Sequence, residues 1–538
     1  MGIEMERAKN TVKNLYGFVI IFLIGGGLRI YDFAKVPGGY QMDEAYSAWN
    51  AFNLFHVGMD SAGKSWPVYF EAWGHGMNAL NSYLMLPFIA LNQGHISLWV
   101  VRMPQLLISL CSMIAMYFLC KRFADRKTAL LGMTMLAIAP WHIMVSRWGL
   151  ESQLVMGLLL IAFCFFAYGT ERPALLVLSF FCYGLALYCY ATIWPVLPFI
   201  LGLQLFYFLK TGKLKVSIWL WIGILILALM AFPLIAFLLV NMGYMQEFQI
   251  GFLSVYKMQK FRGGELARSP GEILLNLKRI ISLLYRQDVS RPYDVIMPHG
   301  FFYQWGRAFV ILGMIFSFGK AVSSVIQKRF SACVVLWIYL LGSFVLGAFV
   351  YAQSMTQINS LYLPLLLCET VGIGTVTDIF VRKEGKVQKY ISIVIAVLIC
   401  LLYTYGVIDF TGRYFTDYRA VTNAYFQADT DRAVLFARDA AKEHGKEVFV
   451  DAAIKYPSVA LFTETDAEQF LATVVYNPDD MPAAKSFETE GVTFHMGYDP
   501  EKLRQDGVYV IYYTETEQFA DYNLTPFNEW WYVAVPVS

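Results

Sequence analysis

Long apolar stretches separated by short polar connections dominate the first 409 residues. A helix needs about 20 mostly apolar residues to cross a bilayer, and this pattern predicts eleven membrane spans. A further stretch, Asn78–Leu91, is short and contains Pro87, so it is predicted as an in-plane interfacial helix. The predicted spans are Leu15–Ile30, Val100–Leu119, Ala129–Val145, Leu154–Tyr168, Ala174–Tyr190, Trp194–Leu209, Val216–Val240, Ala308–Val322, Ala332–Val350, Leu361–Phe380 and Ile391–Ile408.

Three segments lie outside these spans: a first loop (31–99), a middle loop (241–307) and a polar tail (410–538). The tail alternates helical and β-rich patterns, which predicts a small α/β domain. Its predicted elements are a helix over Asp429–Glu443 and strands over Glu447–Asp451, Val508–Tyr513 and Trp530–Val535. The predicted fold is therefore a polytopic α-helical membrane domain (1–409) followed by an α/β accessory domain (410–538).

Basic residues cluster at alternate ends of the predicted spans, and cytoplasmic loops carry the excess of Lys and Arg. With eleven spans and a cytoplasmic N-terminus, every cluster lies on the cytoplasmic side, and the tail lies outside the cytoplasm. The sequence thus predicts a multi-pass cell-membrane protein in this orientation. The clusters contain Arg7, Lys9, Lys13, Lys121, Arg122, Arg126, Lys127, Lys210, Lys213, Lys215, Lys320, Lys328, Arg329, Arg382, Lys383, Lys386 and Lys389.

Composition agrees with a membrane protein. Apolar residues make up 57% of the 538 residues and charged residues 15%, against about 25% charged residues in a soluble domain. These values exclude an ordinary soluble or a disordered chain. The net charge of +2 gives no reason to expect a nucleic-acid partner. The eight cysteines lie in apolar stretches and form no CxxC pair, which predicts buried free thiols.

The first chemical motif is the adjacent pair Asp43 and Glu44, just after the first span. The pair opens an amphipathic stretch, Ala45–Phe55, that is predicted to lie along the membrane surface. Two adjacent carboxylates near a low-dielectric region bind protons more readily, which suits a general base. The alternative is a pair of solvated loop acids.

The second motif, Pro140–Ser152, forms the predicted turn between the third and fourth spans. Arg147 and Glu151 are four residues apart and would share one helix face. They could form a local ion pair, but ionisable residues at a membrane border are costly and often functional.

With these motifs the chain resembles the GT-C glycosyltransferases, and within them family 39, which includes protein O-mannosyltransferases, aminoarabinose transferases and bacterial relatives. The features that carry the resemblance are a long first loop with Asp-Glu and an acidic residue in the next outer turn. Further matches are the stretches Phe70–Tyr83, Val101–Pro104, Ser146–Glu151 and Pro298–Tyr303. The resemblance covers most of the chain and is strongest over 1–208.

The resemblance implies inverting transfer of a sugar from a polyprenyl-phosphate carrier to a hydroxyl acceptor on the outer face. It matches Asp43 to the catalytic acid, Glu44 to its partner and Glu151 to the second acidic position. Cations would stabilise the leaving phosphate, and Arg147 and Arg102 are candidates because both lie at outer helix ends. Aminoarabinose-type relatives carry a phosphate-binding lysine where this chain has Glu71 and His75, so His75 is a further candidate. Many relatives also have an arginine just before the tenth span, where this chain has Gln357-Ile358-Asn359, so Arg291 and His299 of the middle loop are candidates in its place.

Two other functions compete with this prediction. A transporter or lipid flippase would typically show repeats or charged, broken helices at mid-membrane, and we find no inverted repeat. A glycan ligase or polymerase would use a diphosphate-linked donor, and the first-loop Asp-Glu pair argues against it. No cofactor or metal is predicted, although carboxylates could hold a divalent cation. The sugar stays open, and so does the acceptor, which could be protein, lipid or glycan.

Overall fold

The computed structural model describes residues 2–73, 76–261, 267, 269–287, 291–349, 355–381, 386–479, 481–504 and 507–537. Its first 415 residues are predominantly helical. The helices are α1 (Gly2–Ile30), α2 (Met42–Val57), α3 (Leu80–Leu91), α4 (Leu98–Phe123), α5 (Arg126–Ile138), α6 (Pro140–Val145), α7 (Leu154–Gly169), α8 (Leu175–Leu187), α9 (Ile193–Lys210), α10 (Ile218–Asn241), α11 (Pro270–Arg286), α12 (Gly306–Ile326), α13 (Ala332–Gly347), α14 (Tyr362–Val381) and α15 (Lys386–Phe415).

Ten of the predicted spans overlap one helix each, and the third overlaps two, α5 and α6. Within the described residues, seven helices are long and apolar enough to cross a membrane, and four further apolar helices have 10–17 residues. The third predicted span is divided at Ala139, which is extended (ψ 124°), because Pro140 disfavours helix at the preceding residue. The protein is thus a multi-pass membrane protein, while the count of eleven spans stays a prediction.

The lengths of α3 and α15 bear on the predicted topology. Helix α3 has 12 residues, or about 18 Å, so it is too short to cross the hydrocarbon core of about 30 Å. Helix α15 has 30 residues, or about 45 Å. It therefore extends past residue 409 and carries its last turn, with Tyr414, to the loops.

The first loop, the middle loop and the tail lie on the same side of the helical domain. A hairpin of β1 (Tyr69–Phe70) and β2 (Met77–Asn78) belongs to the first loop, and a hairpin of β3 (Phe248–Ile250) and β4 (Leu253–Val255) belongs to the middle loop. The two loops meet where the Tyr256 hydroxyl donates to the Tyr69 carbonyl at 2.8 Å. We call this side the loop face.

The tail contains a seven-stranded mixed sheet in the order β10-β11-β9-β5-β8-β7-β6. The central strand β5 pairs in parallel with both β8 and β9, which confirms a C-terminal domain that contains both helices and a sheet. The elements are α16 (Asp417–Tyr425), α17 (Thr430–His444), β5 (Glu447–Val450), α18 (Tyr456–Phe462), α19 (Ala467–Thr473), β6 (Val475–Tyr476), β7 (Ala484–Thr489), β8 (Val492–Met496), β9 (Gly507–Tyr512), β10 (Tyr522–Pro526) and β11 (Trp531–Pro536).

The first loop and the tail share one apolar core. Trp49 of α2 is 1% exposed and its ring centroid lies 5.1 Å from that of Phe470 in α19. The sequence predicted α2 at the membrane surface; in the structure, this face of α2 packs against the tail because Phe470 covers its largest apolar side chain. The tail is therefore packed directly on the loop that carries the Asp-Glu pair.

A glycine makes a second close contact between the first loop and the tail. Gly39 has a φ of +68°, and a Cβ at this position would lie 2.1 Å from the Phe426 carbonyl oxygen. Only glycine tolerates both this backbone conformation and this approach. The backbone four residues before Asp43 is thus held against the segment that enters the tail.

Candidate active site

The Asp-Glu pair occupies the first turn of α2, just after a capping residue. The Gln41 side chain accepts hydrogen bonds from the backbone N–H groups of Asp43 (2.7 Å) and Glu44 (3.2 Å). The Glu44 carboxylate reaches back to the Gln41 N–H, which completes a capping box. Acidic residues are favoured at a helix N-terminus by the helix dipole. The local sequence therefore places both carboxylates in the first turn of α2.

The two neighbouring carboxylates have different environments. Glu44 is fully buried and forms a two-pronged ion pair with Arg102, with N–O distances of 2.8 and 2.9 Å. Arg102 also donates to the carbonyls of Pro37 and Gly39 at 2.7 Å each. The pair therefore joins α2, α4 and the first loop. The hydrogen bonds of the Arg102 guanidinium are made to other groups of the protein.

Glu44 also holds the turn that leads to Glu151. Its Oε1 accepts the backbone N–H of Gly149 at 2.6 Å. The Gly149 carbonyl in turn accepts the Asn81 side chain at 2.8 Å, and a Cβ on Gly149 would lie 3.0 Å from the Val101 carbonyl oxygen. Both backbone polar groups of Gly149, the N–H and the carbonyl, are thus hydrogen-bonded, which holds the turn in place.

Arg147 fastens the same turn to the first loop. Its guanidinium is buried and donates to the carbonyls of Arg29 (2.8 Å), Asp32 (2.9 Å) and Val36 (3.2 Å). It also donates to the Tyr414 hydroxyl at 3.1 Å, so the turn also contacts the C-terminal end of α15. Arg147 and Arg102 are therefore brought close to the acidic pair, but their hydrogen bonds are made to the protein itself.

Asp43, unlike Glu44, is partly exposed. Its Oδ1 accepts the Trp73 indole N–H at 2.9 Å, and its Oδ2 accepts the Gln41 amide at 3.4 Å. Trp73 has a φ of +51°, a region that a non-glycine residue enters only when its surroundings hold it there. These contacts orient the Asp43 carboxylate while leaving it accessible from the loop face.

Two further groups surround Asp43. Glu151, in the 3₁₀ turn before α7, is 6% exposed and lies within electrostatic reach of Asp43. Within the part of the chain that the structure describes, Glu151 Oε2 is buried and has no hydrogen-bond partner. Tyr293 of the middle loop lies next to Gln41 and within electrostatic reach of Asp43. We call Asp43, Glu151 and Tyr293 the acidic cluster.

The middle loop contributes groups that the sequence prediction missed. Burial raises the pKa of the Tyr293 hydroxyl, and the nearby carboxylates act in the same direction. Burial also raises the pKa of the adjacent Asp294 carboxyl to about 6, while Arg291 opposes this shift. The adjacency of Arg291, Tyr293 and Asp294 was a signal in the sequence, but nothing in it linked them to residue 43.

The remaining predicted phosphate-binding residues have separate positions. Arg291 is exposed and close to Tyr293. His299 is buried against α15, where its Nε2 lies 2.7 Å from Asp409. His75 lies outside the described residues. Glu71, in the same stretch as His75, accepts the Gln259 backbone N–H at 2.7 Å and so faces the middle loop.

A resident metal ion would need several ligands in one place. The described residues contain no group of three or more His, Cys, Asp or Glu side chains that could hold one. The prediction of a metal-independent enzyme stays a prediction.

The comparisons with known proteins bear on the family and the fold. Residues 64–237 match the family model described as dolichyl-phosphate-mannose-protein mannosyltransferase. No curated protein matches the sequence. ArnT from Cupriavidus metallidurans in the apo state has a TM-score of 0.53 at 11% identity, and the match covers 98% of each chain. A second ArnT structure, bound to undecaprenyl phosphate, has the same TM-score and coverage at 12% identity.

An oligosaccharyltransferase from Archaeoglobus fulgidus, tethered to an acceptor peptide, has a TM-score of 0.53 at 12% identity. The match covers 84% of this chain and 63% of that chain, so the protein spans under two thirds of its length. These similarities confirm the fold. Over residues 64–237 the chain also resembles the dolichyl-phosphate-mannose-protein mannosyltransferase family, in agreement with the resemblance that the sequence motifs indicated.

Proposed function

We propose that this protein is an inverting glycosyltransferase that moves a sugar from a polyprenyl-phosphate donor to a hydroxyl acceptor. The observation that carries the proposal is the acidic cluster on the loop face, where an accessible Asp43 lies within electrostatic reach of the buried Glu151, whose Oε2 has no hydrogen-bond partner among the described residues. The ArnT structure that contains undecaprenyl phosphate supports the donor class.

In this mechanism Asp43 acts as the general base. The acceptor hydroxyl attacks the anomeric carbon of the donor sugar as its proton passes to Asp43. The bond between the anomeric carbon and the phosphate oxygen breaks, and the polyprenyl phosphate leaves. A single displacement inverts the configuration at that carbon. Trp73 and Gln41 hold the Asp43 carboxylate in place, which lowers the cost of orienting it for attack.

Glu151 supports the acceptor in this proposal. Its buried Oε2 has no described partner, and an unpaired buried polar atom is costly. A protonated Glu151 would donate from Oε2 to the oxygen of an acceptor hydroxyl, which would satisfy this atom while the hydroxyl presents its own proton to Asp43. Glu44 is assigned a positioning role, because its oxygens are used by Arg102 and Gly149.

Arg291 is the proposed contact to the donor phosphate. It is exposed and lies beside Tyr293 of the acidic cluster, so its guanidinium can meet a phosphate at the loop face. Arg102 and Arg147 are assigned positioning roles, because they bind carbonyls, Glu44 and Tyr414. The proposed orientation places the loop face outside the cytoplasm, as the basic clusters favour.

The function can be tested by deleting the gene and analysing lipid extracts by mass spectrometry. We expect a polyprenyl-phosphate-linked sugar to accumulate, and its mass identifies the sugar. Wild-type protein should remove it, and Asp43→Asn should not, since loss of a general base costs about 10² to 10⁴ in rate.

Asp32→Asn is the matched control for this experiment. Asp32 lies in the same loop, and its side chain is partly exposed and paired only loosely with Lys35 at 3.7 Å. Asn also tolerates its φ of +46°. Equal complementation by Asp43→Asn and Asp32→Asn, at matched expression, would exclude Asp43 as the base. A lipid profile unchanged by deletion would contradict the proposed donor.

A further inference from the structure

One edge of the tail sheet has the features of a ligand site. In open α/β sheets, ligands bind outside the carboxyl ends of parallel strands. Asp451 follows β5 directly, and its N–H donates to the Val510 carbonyl of β9 at 2.9 Å. This register sets Asp451 opposite Ile511 of β9, and its carboxyl lies within electrostatic reach of Tyr512, the last residue of that strand.

A pair of carboxyl groups lies at this edge. The carboxyl groups of Asp451 and Glu515 lie close to each other, and the Tyr498 hydroxyl donates to Glu515. Burial, and then the neighbouring Glu515, raise the pKa of the Asp451 carboxyl. The pair therefore offers both a hydrogen-bond donor and acceptors in a small area.

Aromatic rings stand next to this carboxyl pair. Trp530 stacks on Tyr512 with ring centroids 6.0 Å apart and planes 14° from parallel, and Tyr513 lies 5.8 Å from Trp530. Tyr513 keeps 44% of its surface exposed, and Tyr425 keeps 49%. Large rings left open to solvent beside polar groups form a surface that is apolar on its faces and hydrogen-bonding at its rim.

This surface is continuous with the acidic cluster. Tyr425 lies within electrostatic reach of Tyr512, and its ring centroid is 5.1 Å from that of Tyr293. Tyr293 in turn lies within electrostatic reach of Asp43. A molecule bound at the strand ends could therefore extend across Tyr425 to the proposed base without leaving the protein surface.

We propose that Tyr425, Asp451, Tyr513, Glu515 and Trp530, which we call the aromatic edge, bind a saccharide part of the acceptor. This inference rests on the proposed function. A pyranose ring has a flat face of C–H groups that packs on an aromatic ring, and its hydroxyls pair with carboxyl groups. A lipid chain would gain nothing from Asp451 and Glu515. A saccharide thus complements both the aromatic rings and the carboxyl groups of this surface.

The inference can be tested by saturation-transfer NMR on the purified full-length protein, with chitotetraose, maltotetraose and mannotetraose as probes. We expect saturation to reach the C–H protons of at least one probe. Tyr513→Ala and Tyr425→Ala should each reduce this transfer at least fivefold, because both remove exposed stacking surface. Tyr244→Ala is the matched control, since Tyr244 is 78% exposed in the middle loop.

Two results would overturn the inference: no transfer to any probe with the wild-type protein, or unchanged transfer in both tyrosine variants. Asp43→Asn separates this test from that of the proposed function, because it should lose sugar transfer and keep saccharide binding. If the wild-type protein binds a probe but transfers no sugar, the proposed function is contradicted while saccharide binding at the aromatic edge is supported. Full sugar transfer by both tyrosine variants would contradict the acceptor role of the edge.

Discussion

The Glu44 carboxylate accepts the backbone N–H of Gly149 at 2.6 Å, although 105 residues separate the two in the chain. The same carboxylate is paired with Arg102. One buried side chain therefore fixes the distance between the loop that carries Asp43 and the turn that carries Glu151. The acidic cluster depends on this connection, because its two carboxylates come from different segments.

We expect Glu44→Gln to destabilise the protein more than the double variant Glu44→Gln/Arg102→Met. Removing one partner of a buried ion pair leaves an uncompensated charge and typically costs about 3–5 kcal/mol, whereas removing both is cheaper. Thermal unfolding of the detergent-solubilised variants measures the difference. A single variant that melts at the wild-type temperature would contradict a structural role for the pair.

Arg291→Gln should weaken donor use with the fold intact, because the exposed Arg291 is the proposed phosphate contact. We expect KM for the polyprenyl-phosphate donor to rise by tenfold or more, and Arg291→Lys to recover part of the loss. Arg307→Gln is the control, since Arg307 is a middle-loop arginine whose guanidinium contacts Gln304 and Tyr285. If Arg291→Gln and the wild type have the same KM for the donor, Arg291 is not the phosphate contact.

Gly39→Ala should loosen the tail from the first loop. Its Cβ would lie 2.1 Å from the Phe426 carbonyl oxygen, while Gly63 has a similar φ of +74° with nothing within 4 Å. Gly63→Ala therefore carries the same backbone strain without the clash. We expect limited proteolysis to cut Gly39→Ala faster than Gly63→Ala between the membrane domain and the tail. Equal rates would mean that the close approach does not hold the two parts together.

The free energy of unfolding of the loop face should fall as the pH rises from about 4 to about 7, because Asp60 is buried there. This residue is fully buried in the first loop, and burial raises its pKa to about 7. In that window the folded state holds a proton that the unfolded state has released, so raising the pH favours unfolding. Asp60→Asn keeps a neutral side chain at every pH. Its melting temperature should exceed that of the wild type at pH 8 and approach it at pH 4; a constant difference would contradict this.

The proposed orientation predicts which engineered cysteines react from outside intact cells. In a background without the eight native cysteines, Glu443→Cys on α17 should react with a membrane-impermeant maleimide, because the residue is exposed on the tail. Lys215→Cys, exposed in the connection before α10, should react only after permeabilisation. The reverse pattern would invert the proposed orientation.

The sequence by itself determined the membrane class and the helices. Apolar runs of sufficient length form helices in a bilayer because their backbone groups must be satisfied internally, so every predicted span overlaps helix and only the third is divided between two helices. The sequence also predicted an amphipathic stretch that Asp43 and Glu44 open, and α2 begins there at Met42. The matched family model and the shared fold confirm the glycosyltransferase resemblance that the motifs carried.

Only the tertiary structure separated the environments of Asp43 and Glu44. Neighbours on a helix point about 100° apart, so one carboxylate faces the loop surface and the other faces Arg102. Their partners come from distant segments: Trp73 and Tyr293 border Asp43, while Gly149 binds Glu44. Such contacts depend on how loops and tail pack over the helices, and no local periodicity encodes that packing.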